Sequence, residues 1–318
     1  MRVAALSGRR RVAVLVVLVL VAIIALPASA WAWAPGTHIF LGESVLGALA
    51  QLPGQVADLL RAFPHDYLYG NIAADTSIAK KYAPAGRHCH SWTVGLEILD
   101  RAPEGPLRAF ALGYLSHLAA DVVAHNWFVP RYLILASRTS GLGHSYWESR
   151  FETHLGGGFS SRARELILQD HSRSDMHLDR ILSPTIFSTQ TNRRIFRGMV
   201  HVLDSESWQR IFQLAAEASR YDLTDPDVAR YMERSYDYVL DFLNRVERSE
   251  PYELDPSGDE SLRVAAEVRR EARASGVKFR LAEESVRRFG MPDSTLRYAA
   301  ELEAPLYPPA REARDANN

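Results

Sequence analysis

Apolar residues recur at three- and four-residue intervals along most of the chain, and the pattern predicts helices over 39–50, 92–101, 106–128, 144–155 and 226–248. Prolines at 35, 53, 64, 84, 103, 106, 130, 184, 226 and 251 punctuate these segments. Asp225, just before Pro226, reads as the N-cap of the last of them, with the proline in the first helical turn. Strict polar–apolar alternation is scarce, and no Asn-Gly or Asp-Gly hairpin signal occurs. The expected fold class is therefore all-α, a single multi-helix domain.

The pattern changes after residue 250. Pro251, Pro256, Ser257 and Gly258 form a turn-like break, and two charged amphipathic stretches follow at about 260–275 and 277–289. Their mixed Arg and Glu content reads as solvated helix faces. The expected organisation is a leader over 1–32, a main domain over 33–250 and a charged helical extension over 251–318.

The leader stands out by its order of residue types. Arg9, Arg10 and Arg11 precede an uncharged apolar run over 12–26, followed by Pro27 and small residues. That is the arrangement of a secretory signal, so the expected location is exported, periplasmic or secreted. The run falls short of the ~20 residues of a full membrane span, and a retained anchor is the alternative. Small residues flank two cleavage points, which would leave Trp31 or Trp33 first. Cys89 is the only cysteine in 318 residues, so no intramolecular disulfide can form. Hydrophobic residues make up 47% and charged residues 24%, and the formal net charge is −1. This balance suits a globular core and disfavours a basic nucleic-acid reader.

The candidate chemistry sits in the segment 113–125, where His117, Asp121 and His125 stand at i, i+4 and i+8. Each step of four advances about 40° around a helix and about 6 Å along it, so the three form one slowly twisting column. His117 and Asp121 can share one metal ion, whereas His125, about 12 Å from His117 along the axis, must serve another. Asp121 has two carboxylate oxygens and can bridge them. The rest of this helix is apolar on nearly every side, so three buried ionisable groups there need partners. His144 and Glu148, again i and i+4, suit one zinc with His125. Either His88 or His90 could complete the His117–Asp121 site. Asp75 could be a ligand, a base or a helix cap, and Glu152 and His154 read as outer or surface groups. Tyr67, Tyr69, Trp127, Tyr146 and Trp147 could line a pocket or simply fill the core.

Together these residues resemble the zinc-dependent phospholipase C family, including the catalytic domain of glycosylphosphatidylinositol-specific phospholipase D. The related fungal zinc nucleases share the metal cluster. The resemblance runs from Trp33 to about Glu148, and to residue 250 as helical scaffold. Its most specific piece is Ser116-His-Leu-Ala-Ala-Asp-Val-Val-Ala-His125, similar to the phospholipase D form of this helix. Trp33-Ala-Pro-Gly-Thr-His38 is similar to the nuclease spacing, whereas Glu148 and the short gap between Asp121 and His125 depart from it. The resemblance implies two or three zinc ions. One would take His90, His117 and Asp121, and a second His125, His144 and Glu148. A third would take Trp33, through its amine and carbonyl, with His38 and bridging Asp121. Asp75 would act as ligand or general base.

The function implied is a phosphodiester hydrolase acting on phospholipid, with contact to a membrane surface through loops or the helical extension. A single-strand nuclease or phosphatase using the same cluster is the first alternative, with nucleic acid as the partner. A non-catalytic protein braced by zinc is the second.

Overall fold

A computed structural model describes residues 33–78, 82–84, 86–103, 105–137, 143–156, 158–217, 219, 221–274 and 280–307, and these contain helices and no strand. The leader expected over 1–32 lies outside the described residues. In chain order the first helices are α1 (Pro35–Gly47), α2 (Gly54–Ala62), α3 (Pro64–Ala73), α4 (Trp92–Asp100) and α5 (Gly105–Val123). Then come α6 (Val129–Leu135), α7 (His144–Glu152), α8 (Gly158–Ile167), α9 (Ser172–Asp179) and α10 (Thr189–Leu203). The last are α11 (Glu206–Glu217), α12 (Asp225–Arg245), α13 (Asp259–Ala274) and α14 (Leu281–Phe289).

The central helix is α5, which α3, α4 and α12 surround. From Leu107 onwards nearly every residue of α5 is buried, including the polar Ser116, His117 and Asp121. With its continuation to Leu135 it is long and apolar enough to cross a membrane, but 94% of its apolar window is buried against other helices. It is the core of a helical bundle.

Two glycines set how deeply α3 and α5 cross. A Cβ built on Gly70 would come within 2.9 Å of the Gly113 Cα, and one on Gly113 within 3.0 Å of the Gly70 Cα. Side chains at either position would wedge the helices apart. Because the crossing is close, the C-terminal end of α3, with Asn71 and Asp75, lies against the turn of α5 that carries His117.

The sequence pattern ends the central helix at 128, two residues before Pro130. Instead, α5 opens into a π-helical turn over Ala124–Phe128 and resumes as α6, with Pro130 in its first turn. The helix runs on through this turn, with the Val129 N–H bonded to the Ala124 carbonyl, and Pro130, which has no N–H to donate, sits just after the widened backbone. Another difference concerns α12. Its N-cap is Thr224, whose side chain accepts from the Asp227 N–H, while Asp225 Oδ1 lies 2.8 Å from His154 Nδ1. The charged stretches after 258 form α13 and α14, both packed on α6 and on the π-helical turn.

Gly113→Ala is expected to destabilise the protein by about 1–3 kcal/mol or more, because the added methyl must push two backbones apart. A lower urea midpoint at unchanged m-value would register this, and an unchanged midpoint would show that the crossing is looser than described.

Candidate metal centre

Each metal-ligand candidate is delivered by a different local device. His38 lies one turn into α1, whose first turn is capped from outside by Glu152, with Oε2 3.2 Å from the Thr37 N–H. Glu152, read from sequence as an outer or surface group, is thus packed beneath the helix that carries His38. A carboxylate at a helix start is favourable for the helix dipole, although burial pushes its own pKa up. Asp75 sits in the 3₁₀ turn Ala74–Thr76 that ends α3. His90 immediately precedes Ser91, the N-cap of α4, whose side chain accepts from the Val94 N–H. His117 and Asp121 share one face of α5. His125 lies in the π-helical turn, and His144 and Glu148 lie one turn apart at the start of α7.

These side chains converge. Asp121 Oδ2 lies 3.0 Å from His90 Nε2 and 3.1 Å from His117 Nε2, and its Oδ1 lies 3.2 Å from His38 Nε2. Asp75 Oδ1 is 3.4 Å from His90 Nε2 and 4.0 Å from His117 Nε2. The His38 and His117 rings stack with centroids 3.8 Å apart. On the next turn, His144 Nε2 lies 2.6 Å from Glu148 Oε1, and the His125 and His144 ring centroids are 5.3 Å apart. Donor atoms close enough to share an ion fall into the groups His38–Asp75–His117, His90–His117–Asp121 and His125–His144–Glu148, whose eight residues are all buried, and into a fourth group, His88–Cys89–His90, in which His88 is half-buried.

The alternatives at His88 and His90 separate cleanly. His90 Nε2 reaches the cluster, whereas His88 stays half-buried and its Nδ1 accepts from the His90 backbone N–H at 3.1 Å. Cys89 Sγ lies 3.3 Å from His90 Nδ1, on the ring edge opposite the cluster. Trp33 is fully buried, and its indole N–H donates to the carbonyl of Ala120, the residue before Asp121. Of the aromatic residues that could line a pocket, Tyr67, Tyr69 and Trp147 are core.

The donor set fits a divalent cation. Zinc-bound nitrogens and oxygens at ~2.0–2.1 Å in tetrahedral geometry lie ~3.3 Å from one another, close to the spacings around Asp121. Tautomers point the same way. His117 Nδ1 lies 2.8 Å from the Asn71 carbonyl, and His125 Nδ1 lies 2.7 Å from that of Pro256. A carbonyl only accepts, so each Nδ1 carries a proton and Nε2 is the ring nitrogen left for a metal ion. His117 Nε2 nevertheless lies 3.0 Å from His90 Nε2. Neither nitrogen of His38 and neither oxygen of Asp121 has a hydrogen-bond partner of acceptable geometry among the described residues. Lone pairs crowded around a shared point call for a cation.

Protonation states agree. Burial, reinforced by His117, lowers His38 to about 4, and burial likewise lowers His125 to about 4. Burial opposes ionisation of Asp121, but His117, His38 and His90 together hold its carboxyl well below the usual range. At neutral pH His38 and His125 are therefore neutral and Asp121 ionised, the forms that ligate metal.

A family model described as zinc dependent phospholipase C matches residues 37–248. No curated protein and no solved structure matches the chain at a significant level.

The low pKa values make stability depend on pH. An unfolded chain protonates these histidines near pH 6.5, the folded chain only near pH 4. Between those values the unfolded state binds more protons, so stability rises with pH across the window. Metal-stripped protein is expected to lose stability steadily as pH falls from 6.5 towards 4. A urea midpoint that stays flat over this range would contradict the burial of neutral His38 and His125.

Proposed function

The chain belongs to the zinc-dependent phospholipase C family, and from that premise we propose that it hydrolyses phospholipid head-group phosphodiesters with zinc held at His38, His90, His117, Asp121, His125, His144 and Glu148. The observation that carries this is the convergence of imidazoles and carboxylates from separate chain segments on Asp121, inside the family-matched region. Bound zinc would supply Lewis acidity, lowering the pKa of water and neutralising charge on phosphate oxygens.

The protein's own groups do the remaining work. Asp121 directs one oxygen at His38 and the other at His90 and His117, so it holds two ligand sets in register. Asp75, at the inner end of α3, orients the attacking water and takes its proton on the carboxylate. The Asn71 and Pro256 carbonyls keep the Nε2 atoms of His117 and His125 turned inward. A purely structural zinc site normally closes with four protein ligands around one ion, and the donor groups here exceed that.

Export belongs to the same proposal, supported by the arginine, apolar and small-residue order over 9–30. Cleavage before Trp33 would create an amine on a residue whose side chain is already anchored beside Asp121, which supports Trp33 as a further zinc ligand. Mass determination of the exported chain checks this, with a start at Trp33 expected and an intact leader opposing it.

Zinc-loaded protein is expected to release head group from phosphatidylcholine vesicles and to leave single-stranded DNA intact. Cleavage of DNA alone would favour the nuclease alternative, and no cleavage of either substrate would favour zinc as a brace. Asp75→Asn is expected to lower kcat by about 10²–10⁴-fold with zinc content retained. Wild-type turnover in that variant would remove Asp75 from the base role.

A further inference from the structure

The turn that follows α12, outside the family-matched residues, packs directly on one candidate zinc ligand. The Pro256 carbonyl accepts from His125 Nδ1 at 2.7 Å across 131 residues of sequence. Gly258 is buried at φ +59, a conformation that favours glycine, and a Cβ there would come within 2.6 Å of the His125 carbonyl oxygen and would also strike the His125 Cβ. The approach is so close that no other residue fits.

Three clamps hold this turn in place. Trp92 Nε1 donates to the Leu254 carbonyl at 2.8 Å, Asn126 Nδ2 donates to the Asp255 carbonyl at 2.8 Å, and Ser261 Oγ donates to Asn126 Oδ1 at 3.2 Å. Within the turn, Asp255 accepts from the Ser257 N–H and hydroxyl at 3.0 and 2.6 Å, and from the Asp259 N–H at 3.3 Å. Asp255 thus fixes the turn and caps α13, which itself packs on the π-helical turn bearing His125.

We propose that the segment 254–261 is a positioning element of the His125–His144–Glu148 zinc site, with the Pro256 carbonyl locking His125 in its Nδ1–H tautomer and Gly258 setting the distance. The inference rests on the zinc-centre reading above. It assigns to the C-terminal region a part in metal binding: without the carbonyl, His125 could flip or change tautomer and withdraw the Nε2 lone pair.

The test uses full-length protein, zinc alone as the probe, and competition with a chromophoric chelator. Gly258→Ala moves the carbonyl, and Asn126→Ala removes the two clamps that run through Asn126 and leaves the Trp92–Leu254 bond and every ligand side chain in place. In Gly258→Ala one ion of the wild-type complement is expected to be lost to chelator about 10–100-fold more readily, with the remainder held as before, and Asn126→Ala to show a smaller shift in the same ion. The slowly exchanging His125 Nδ1–H resonance, present in wild type, is expected to be lost in Gly258→Ala. If Gly258→Ala fails to fold, Asn126→Ala carries the comparison. Folded variants that release every ion equally, or none more readily than wild type, overturn the inference while the zinc reading stands. Wild-type protein that binds no zinc overturns the reading itself.

Discussion

A carboxylate at the centre of a fully buried apolar helix governs the rest of the structure. Taking such a charge out of water costs several kcal/mol unless compensating groups surround it closely. Asp121 is 0% exposed, and what surrounds it is imidazole edge, from His38 on one oxygen and from His90 and His117 on the other. The core therefore has a polar centre whose buried groups could hold a divalent cation, and binding there would be linked to folding.

The architecture can be read as the means of bringing those edges close enough. Glycines at 70 and 113 let α3 approach α5, which puts the Asn71 carbonyl behind His117 and Asp75 beside it. Glu152 at the start of α1 steadies the helix that carries His38. The Trp33 indole, bonded to the Ala120 carbonyl and packed on Phe128 and Phe151, ties the residues before α1 to the central helix. These contacts hold the segments that carry the candidate ligands His38, Asp75, His117 and Asp121. Ligand orientation by outer hydrogen bonds typically governs affinity as strongly as ligand identity does.

Much of this was legible from spacing. The column His117, Asp121, His125 and the pair His144, Glu148 follow from helical geometry, and the apolar neighbours of the column signal its burial. All-α class follows from the same periodicity. The choice between His88 and His90 was not settled by the residues alone, since both lie in an irregular segment where no period fixes direction. The glycine crossing, the Thr224 cap and the seat of Gly258 on His125 were illegible for a different reason. They are tertiary contacts or local competitions between neighbouring cap residues, and a sequence separation of 131 leaves no periodic trace. The break in composition after residue 250 includes the turn whose Pro256 carbonyl lies against His125.

The π-helical turn shows why a departure from regular helix is useful at this point. Along an unbroken α-helix the column would keep drifting by about 40° per four residues, and Pro130 would remove a donor from the helix interior. Widening the backbone over Ala124–Phe128 meets both demands at once. His125 within it groups with His144 and Glu148 and not with Asp121, and Pro130 falls just after the stretch where the bonding pattern is already widened. Insertions of this kind recur at functional sites because they change side-chain direction without ending the helix. The widened stretch of backbone carries the candidate ligand His125, and it is where the C-terminal helices and the 254–261 turn pack. The extension thus reinforces the part of the central helix that ligand geometry leaves least regular.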